Sequence, residues 1–377
     1  MMKADFLIRP FEETDLDAFR QIVQKYWSER HIFLKSTALL QWQYHGYGPF
    51  EGMHFPLLLY KNKIIGFRGL IPAELRVSDC SAVTLRPVVV SAMFLVIPEW
   101  RRQKLGLALQ RYTLEKYHNY FAIASNLQTS APMHRKTGCY VLDKMLRYLL
   151  PLSEQYENLL LNADVGWREF LYRPCEDRGI GPVDMSSEEL ALFWQHSVEE
   201  RNITAFNRSS SFWEWRYKLS PIYRYLFFGG QGTGGVVVGR ICTLYNDDLT
   251  VRPEKVFRIL ELIPEHGDVW EGYYCTQLES LIKGVSQWAY NEGCTAIEFY
   301  TTTNLFAKIL IAAGLREVNY DDNNKDMEII SYFEPCSSVA RLSNVSLYLE
   351  HYQGQFDYNS SYFTLSDADQ DRPNILI

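Results

Sequence analysis

Arg101, Arg102 and Lys104 stand within four residues of one another, directly after an apolar run and directly before a helical pattern. The run, residues 88–97 (VVVSAMFLVI), is rich in β-branched and large apolar types and meets Pro98. A buried strand that feeds a turn at a helix start presents free backbone N–H groups, and these bind anions. Three cations in that turn suit a phosphate or pyrophosphate. The same pattern also fits an ordinary strand–turn–helix with a solvated basic turn.

Composition bounds the remaining chemistry. The chain has 377 residues, 47% hydrophobic and 15% aromatic, enough for a packed core and, by length, about two domains. A net charge of −7 without a basic stripe argues against a nucleic-acid partner. No apolar run approaches the ~20 residues of a membrane span, and the N-terminus lacks the apolar core of a signal peptide. The seven cysteines are scattered, odd in number and form no C-x-x-C, which predicts reduced thiols in a cytoplasmic protein and no metal site.

The elements that must position the basic turn follow from periodicity. Residues 14–26 place Leu16, Phe19, Ile22 and Val23 on one face of a helix. A second helix spans 36–44, a hairpin joins 56–60 to 64–70, and 74–77 extend the sheet. After the strand at 88–97 come a helix over 105–120, a strand at 121–125, a short helix over 130–136 ending at Gly138, and a strand or strand pair at 140–150. This order predicts an α+β domain over residues 1–150. Residues 151–185, with several Pro and Gly, read as a linker, and a capped helix over 186–201 opens a second unit.

Val96-Ile97-Pro98-Glu99-Trp100-Arg101-Arg102-Gln103-Lys104-Leu105-Gly106, followed by Leu109, resembles the acetyl-coenzyme A signature of the GNAT N-acetyltransferases. That signature runs V-x-P-E-aromatic-R-x-x-G-x-G, with a leucine three residues on. Lys104 departs from it, standing where the first glycine belongs. If that site needs φ > 0 a lysine is strained there; otherwise it adds a cation. A shifted frame, Gln103-x-x-Gly106-x-Ala108, fits the looser form of the signature.

The second half repeats the first. Gln41-Trp42-Gln43-Tyr44 resembles Glu214-Trp215-Arg216-Tyr217. Trp42 to Gly66 and Trp215 to Gly239 are both 24 residues, and Pro98 to Gly106 and Pro264 to Gly272 are both 8. Held spacing in order points to a tandem duplication. In the second copy the basic turn becomes Gly267-Asp268-Val269-Trp270, where an aspartate would repel a pyrophosphate. The expected architecture is therefore α+β: two tandem GNAT-like domains, each a mixed, mostly antiparallel sheet flanked by helices. Residues 1–150 form the active copy, 151–185 the linker, 186–333 a degenerate copy and 334–377 a C-terminal extension. In that extension 343–351 read as a strand, 362–365 as its partner and 366–373 as loose.

The resemblance implies acetyl-CoA as acyl donor, a small-molecule amine as acceptor, no metal, and direct attack without an acyl-enzyme. It implies that Phe94, Leu95 and Val96 contact the pantetheine arm and carbonyl through their backbone. Arg101, Arg102, Gln103, Lys104, Leu105 and Gly106 would hold the pyrophosphate, and Asn126 would lie near the pantetheine. The family's usual general acid is a tyrosine four residues before a glycine; here His134 precedes Gly138, and an imidazolium can protonate a thiolate. His134 as a surface helix residue, with Tyr140 or water as donor, stays open. His31 and Tyr44 fall where acceptor contacts are built, whereas Trp42 reads as core because Trp215 persists in the other copy. Two-lobed members of this kind point to an amino sugar of surface polysaccharide synthesis. The rivals are an aminoacyl transferase of the peptidoglycan-bridge type and a non-catalytic coenzyme A-binding sensor or scaffold.

Overall fold

The computed structural model describes residues 6–78, 82–160, 166–174, 179–198, 201–246, 248, 250–318, 343–352 and 356–369. The first half supplies β1 (Phe6–Pro10), α1 (Leu16–Tyr26), α2 (Thr37–His45), β2 (Pro56–Tyr60), β3 (Lys63–Ser78), β4 (Val83–Val96), α3 (Leu105–Tyr117), β5 (Asn119–Ile123), α4 (Ser130–Lys136), β6 (Tyr140–Leu142) and β7 (Leu146–Pro151). The second supplies α5 (Ser187–Val198), β8 (Thr204–Phe206), α6 (Ser210–Trp213), β9 (Leu226–Gly230), β10 (Gly235–Tyr245), β11 (Val251–Pro264), α7 (Thr276–Asn291), β12 (Ala296–Thr301), α8 (Ala307–Ala312) and β13 (Arg316–Glu317). The C-terminal segment adds β14 (Val345–Leu349) and β15 (Ser361–Tyr362).

Two mixed sheets result. One has nine strands along the path β1-β2-β3-β4-β5-β14-β6, with β8 on β3 and β15 on β8; the other has six, ordered β13-β7-β12-β11-β10-β9. In each, a long antiparallel hairpin is followed by a helix and a parallel strand: β3–β4, α3, β5 and β10–β11, α7, β12. Each hairpin carries a bulge, at Gly69–Leu70 and at Val238–Gly239. No helix among the described residues is long and apolar enough to cross a membrane.

The sheets trade strands. β7, expected to close the first domain, pairs with β12 in the second sheet. Its reason is chemical: Arg147 is buried and reaches Glu298 on β12, which Arg258 also contacts at 2.8 Å. A buried carboxylate without those partners would be strongly destabilising. β14, expected outside both copies, fills the place beside β5 in the first sheet and pairs with β6 on its far side. Residues 362–365 do not pair with β14. Tyr362 pairs with Ala205 on β8, and Thr364 bridges Thr301. Residues 366–369 are buried rather than loose, with Asp367 on Arg208 at 2.7 Å; positions 370–373 lie outside the described residues.

Trp42 and Trp215 join the copies. Their rings stack at 4.9 Å, and each indole N–H donates to the other's backbone carbonyl at 3.0 Å. Equivalent residues meeting reciprocally is what a local two-fold relation produces.

Candidate active site at the fork of the first sheet

β4 and β5 pair in parallel for only three residues, Val89–Tyr120, Val90–Phe121 and Ser91–Ala122. Beyond Ser91, β4 continues beside β3, while β5 runs beside β14. The strands part into a fork. A cleft of about 1030 Å³ opens there, walled by Phe94, Leu95 and Val96 on one side and by Asn126 and the start of α4 on the other.

Beyond Ser91 the edge of β4 away from β3 faces the cleft. The Ile97 N–H bonds the Ile65 carbonyl at 2.9 Å, toward β3. By strand alternation the N–H groups of Phe94 and Val96 point away from β3, into the fork. Pro98 then ends the strand, and a short turn leads to α3, whose first-turn N–H groups have no intrahelical acceptor. Arg102 (φ 67°) and Lys104 (φ 61°) both take left-handed backbone, with Lys104 as the N-cap of α3. Thus the site does need φ > 0 where the signature has glycine, and Lys104 bears a strain of about 1 kcal/mol. Arg101 is held differently, its Nε donating to the Val96 carbonyl at 3.0 Å. Gly106 allows close approach: a Cβ there would come 3.1 Å from Cζ of Phe94, and the ring would have to give way by a few tenths of an ångström.

The electrostatics are one-sided. Arg101, Arg102, Lys104 and Lys136 line the cleft, and among the described residues no carboxylate does. On a chain of net charge −7 this is a local positive field. Coenzyme A carries phosphates that four cations and a helix start suit. The residues present therefore fit the group.

Of the expected residues, Phe94, Leu95, Val96, Arg101, Arg102, Lys104, Leu105, Gly106 and Asn126 share this cleft; Gln103 is exposed in the same turn but does not line it. Asn126 uses its Oδ1 to accept the N–H groups of Gln128 and Thr129, so it shapes the wall at the start of α4. Lys136, Trp100 and Met133 join the lining unanticipated. Three expectations take another place. His134 is 1% exposed and is not among the residues that line the cleft, so the alternative of a surface helix residue is the one the structure sets aside. Burial, reinforced by the Arg68 charge, pushes its pKa down to about 3, leaving a neutral ring. His31 is also fully buried; its Nδ1 accepts the Phe33 N–H and burial lowers its pKa to about 4. Tyr44 packs in the same core against Phe33 and Phe55. Neither lines the cleft.

The second sheet forks in the same way, since β11–β12 pairing ends at Ile259–Phe299. That fork is filled. Trp270 enters it, tilted against Phe306 (5.0 Å) and edge-on to Tyr362 (5.1 Å). The Leu262 N–H, on the strand flanking the fork, bonds the Tyr362 hydroxyl at 2.9 Å. Asp268 of its turn pairs with Arg201 at 2.8 Å.

Neither a protein-family model nor a curated protein sequence matches the chain. Solved structures do. N-myristoyltransferase of Saccharomyces cerevisiae, crystallised with myristoyl-CoA and inhibitors, is 10% identical, with a TM-score of 0.55 over 100% of this chain and 87% of that one. A GCN5-related N-acetyltransferase from Kribbella flavida is 12% identical, with a TM-score of 0.51 over 91% and 70%. At such identities the likeness is one of fold, and the chain has the two-lobed GNAT fold.

Proposed function

We propose that the chain is an N-acyltransferase that moves an acyl group from acyl-coenzyme A to a primary amine at the fork of the first lobe. The observation that carries this reading is the coincidence of an open strand fork with four cations lining its cleft, three from the turn before α3 and Lys136 from the end of α4. Arg101, Arg102, Lys104, Lys136 and the first-turn N–H groups of α3 would hold the phosphates. The N–H groups of Phe94 and Val96 would orient the pantetheine arm and polarise the carbonyl. Coenzyme A, when bound, supplies an activated thioester. The fork's apolar wall excludes water from it, and attack needs a neutral amine held in line.

Acetyl is the acyl group to test first, with myristoyl as the long-chain comparison because the yeast enzyme was crystallised with its coenzyme A ester. An amino sugar is the acceptor to test first. The experiment is a release assay for coenzyme A thiol with acetyl-CoA or myristoyl-CoA and a panel of amino sugars, amines and peptides. Amine-dependent release is expected, lowered at least tenfold at limiting donor by Arg101→Ala with Arg102→Ala, about 1–2 kcal/mol of binding. Tight binding of acyl-CoA with no release for any amine would favour the sensor instead.

A further inference from the structure

Arg68, on β3, is 1% exposed, and no carboxylate among the described residues partners it. Its N–H groups meet only neutral acceptors: Ser91 Oγ at 3.1 Å, Gln110 Oε1, Tyr120 Oη at 2.6 Å and, at 3.4 Å, His134 Nε2. Because a guanidinium only donates, His134 Nε2 accepts. Nδ1 then carries the proton and donates to Ser346 Oγ at 2.9 Å. The neighbours stay neutral near pH 7. Burial pushes Tyr120 up to about 12 and Cys139 up to about 11, and holds His134 down near 3. A buried cation with no counter-charge is costly, and the fold retains it. In the second sheet Phe228 and Phe257 pack with Trp288 of α7 as an aromatic cluster.

The place of this charge is specific. Ser91, which takes the Arg68 Nε bond, is the last residue of β4 paired to β5 before the fork opens. The guanidinium lies between two rings, 4.7 Å from the Phe94 centroid and 4.8 Å from that of Tyr120. Phe94 borders the cleft and packs on Gly106. An arm that starts at the Arg101–Gly106 turn and follows β4 into the fork passes Phe94 before the fork closes.

We infer that Arg68 is a fixed positive charge beneath the fork that stabilises the sulfur of coenzyme A as a thiolate, in place of a positioned general acid. This rests on the acyl-coenzyme A reading of the cleft. In transfer, the amine nitrogen bonds to the thioester carbon and the C–S bond breaks. Its electron pair stays on sulfur, and the proton lost by nitrogen goes to water. Arg68 is not among the residues that line the cleft, so it acts by its field from beneath Phe94 rather than by touching the reacting atoms.

The test uses the full chain and coenzyme A with its free thiol, following thiolate absorbance in the ultraviolet as pH rises. The charged and titratable groups near the sulfur's path are Arg68 with its buried neighbours Tyr120, His134 and Cys139 beneath the fork, and Arg101, Arg102, Lys104 and Lys136 lining the cleft. Bound coenzyme A is expected to show about tenfold more thiolate near neutral pH than free coenzyme A, a displacement of one pH unit. Arg68→Gln should abolish the excess with dissociation constant little changed, and Arg68→Lys should keep part of it. A bound thiol that titrates like free coenzyme A in the unaltered chain overturns the inference alone, whether or not the variants fold. Failure of the unaltered chain to bind coenzyme A overturns the reading of the cleft and this inference with it.

Discussion

Lys104 shows how much of the site is decided by a single backbone angle. At φ 61° it caps α3 in a conformation that glycine would adopt without strain. Lys104→Gly and Lys104→Ala both remove the cation, but only glycine relieves the backbone. Chemical denaturation should therefore find the glycine variant more stable than the alanine variant by about 1 kcal/mol; equal stabilities would mean the angle is not strained. Both should weaken binding of coenzyme A. The basic turn and the contribution of Gly106 were legible in the sequence because adjacency along the chain sets them. Arg68 was not legible. A lone arginine inside an apolar strand looks the same whether it reaches solvent or a buried tyrosine, and Tyr120 and His134 converge on it, with Ser346 behind His134, only in three dimensions. His134 was assigned by position along a helix, and position does not reveal that its ring turns inward.

At the level of elements, the exchange of β7 and β14 is what the first lobe's cleft depends on. β14 forms the sheet between β5 and β6, and the Ala124 N–H after β5 bonds the Asn344 carbonyl at 2.8 Å. The wall of the fork is thus anchored by residues more than two hundred positions away. Leu347, fully buried in β14, should matter as much as a core residue of the first lobe. Leu347→Ala is expected to cost about 2–5 kcal/mol in a denaturant titration; a loss below about 1 kcal/mol would show that the strand is dispensable. The hairpins, crossover helices and parallel strands could be read from periodicity and spacing. The exchange could not, because both are short, largely buried strands whose residue types name no partner, and only pairings such as Arg147 with Glu298 distinguish one sheet from the other.

Across the whole molecule, one copy of a repeated unit keeps an open fork while the other is filled from within. Trp42 and Trp215 retain a symmetric contact at the junction, and the asymmetry is concentrated at the forks. In the first, cations face a cleft; in the second, Trp270, Phe306 and Tyr362 occupy the space and Tyr362 takes the strand's N–H. The duplication was visible in spacing, and the aspartate at 268 hinted at the loss. The plug was not visible, since Tyr362 comes from a segment outside the repeat. Isothermal titration of coenzyme A into the full chain tests the central claim most directly. One site per chain is expected, weakened by added salt because the contacts are charged, and abolished by Arg102→Glu with Lys104→Glu. Two sites, no binding, or binding indifferent to that charge reversal would contradict it.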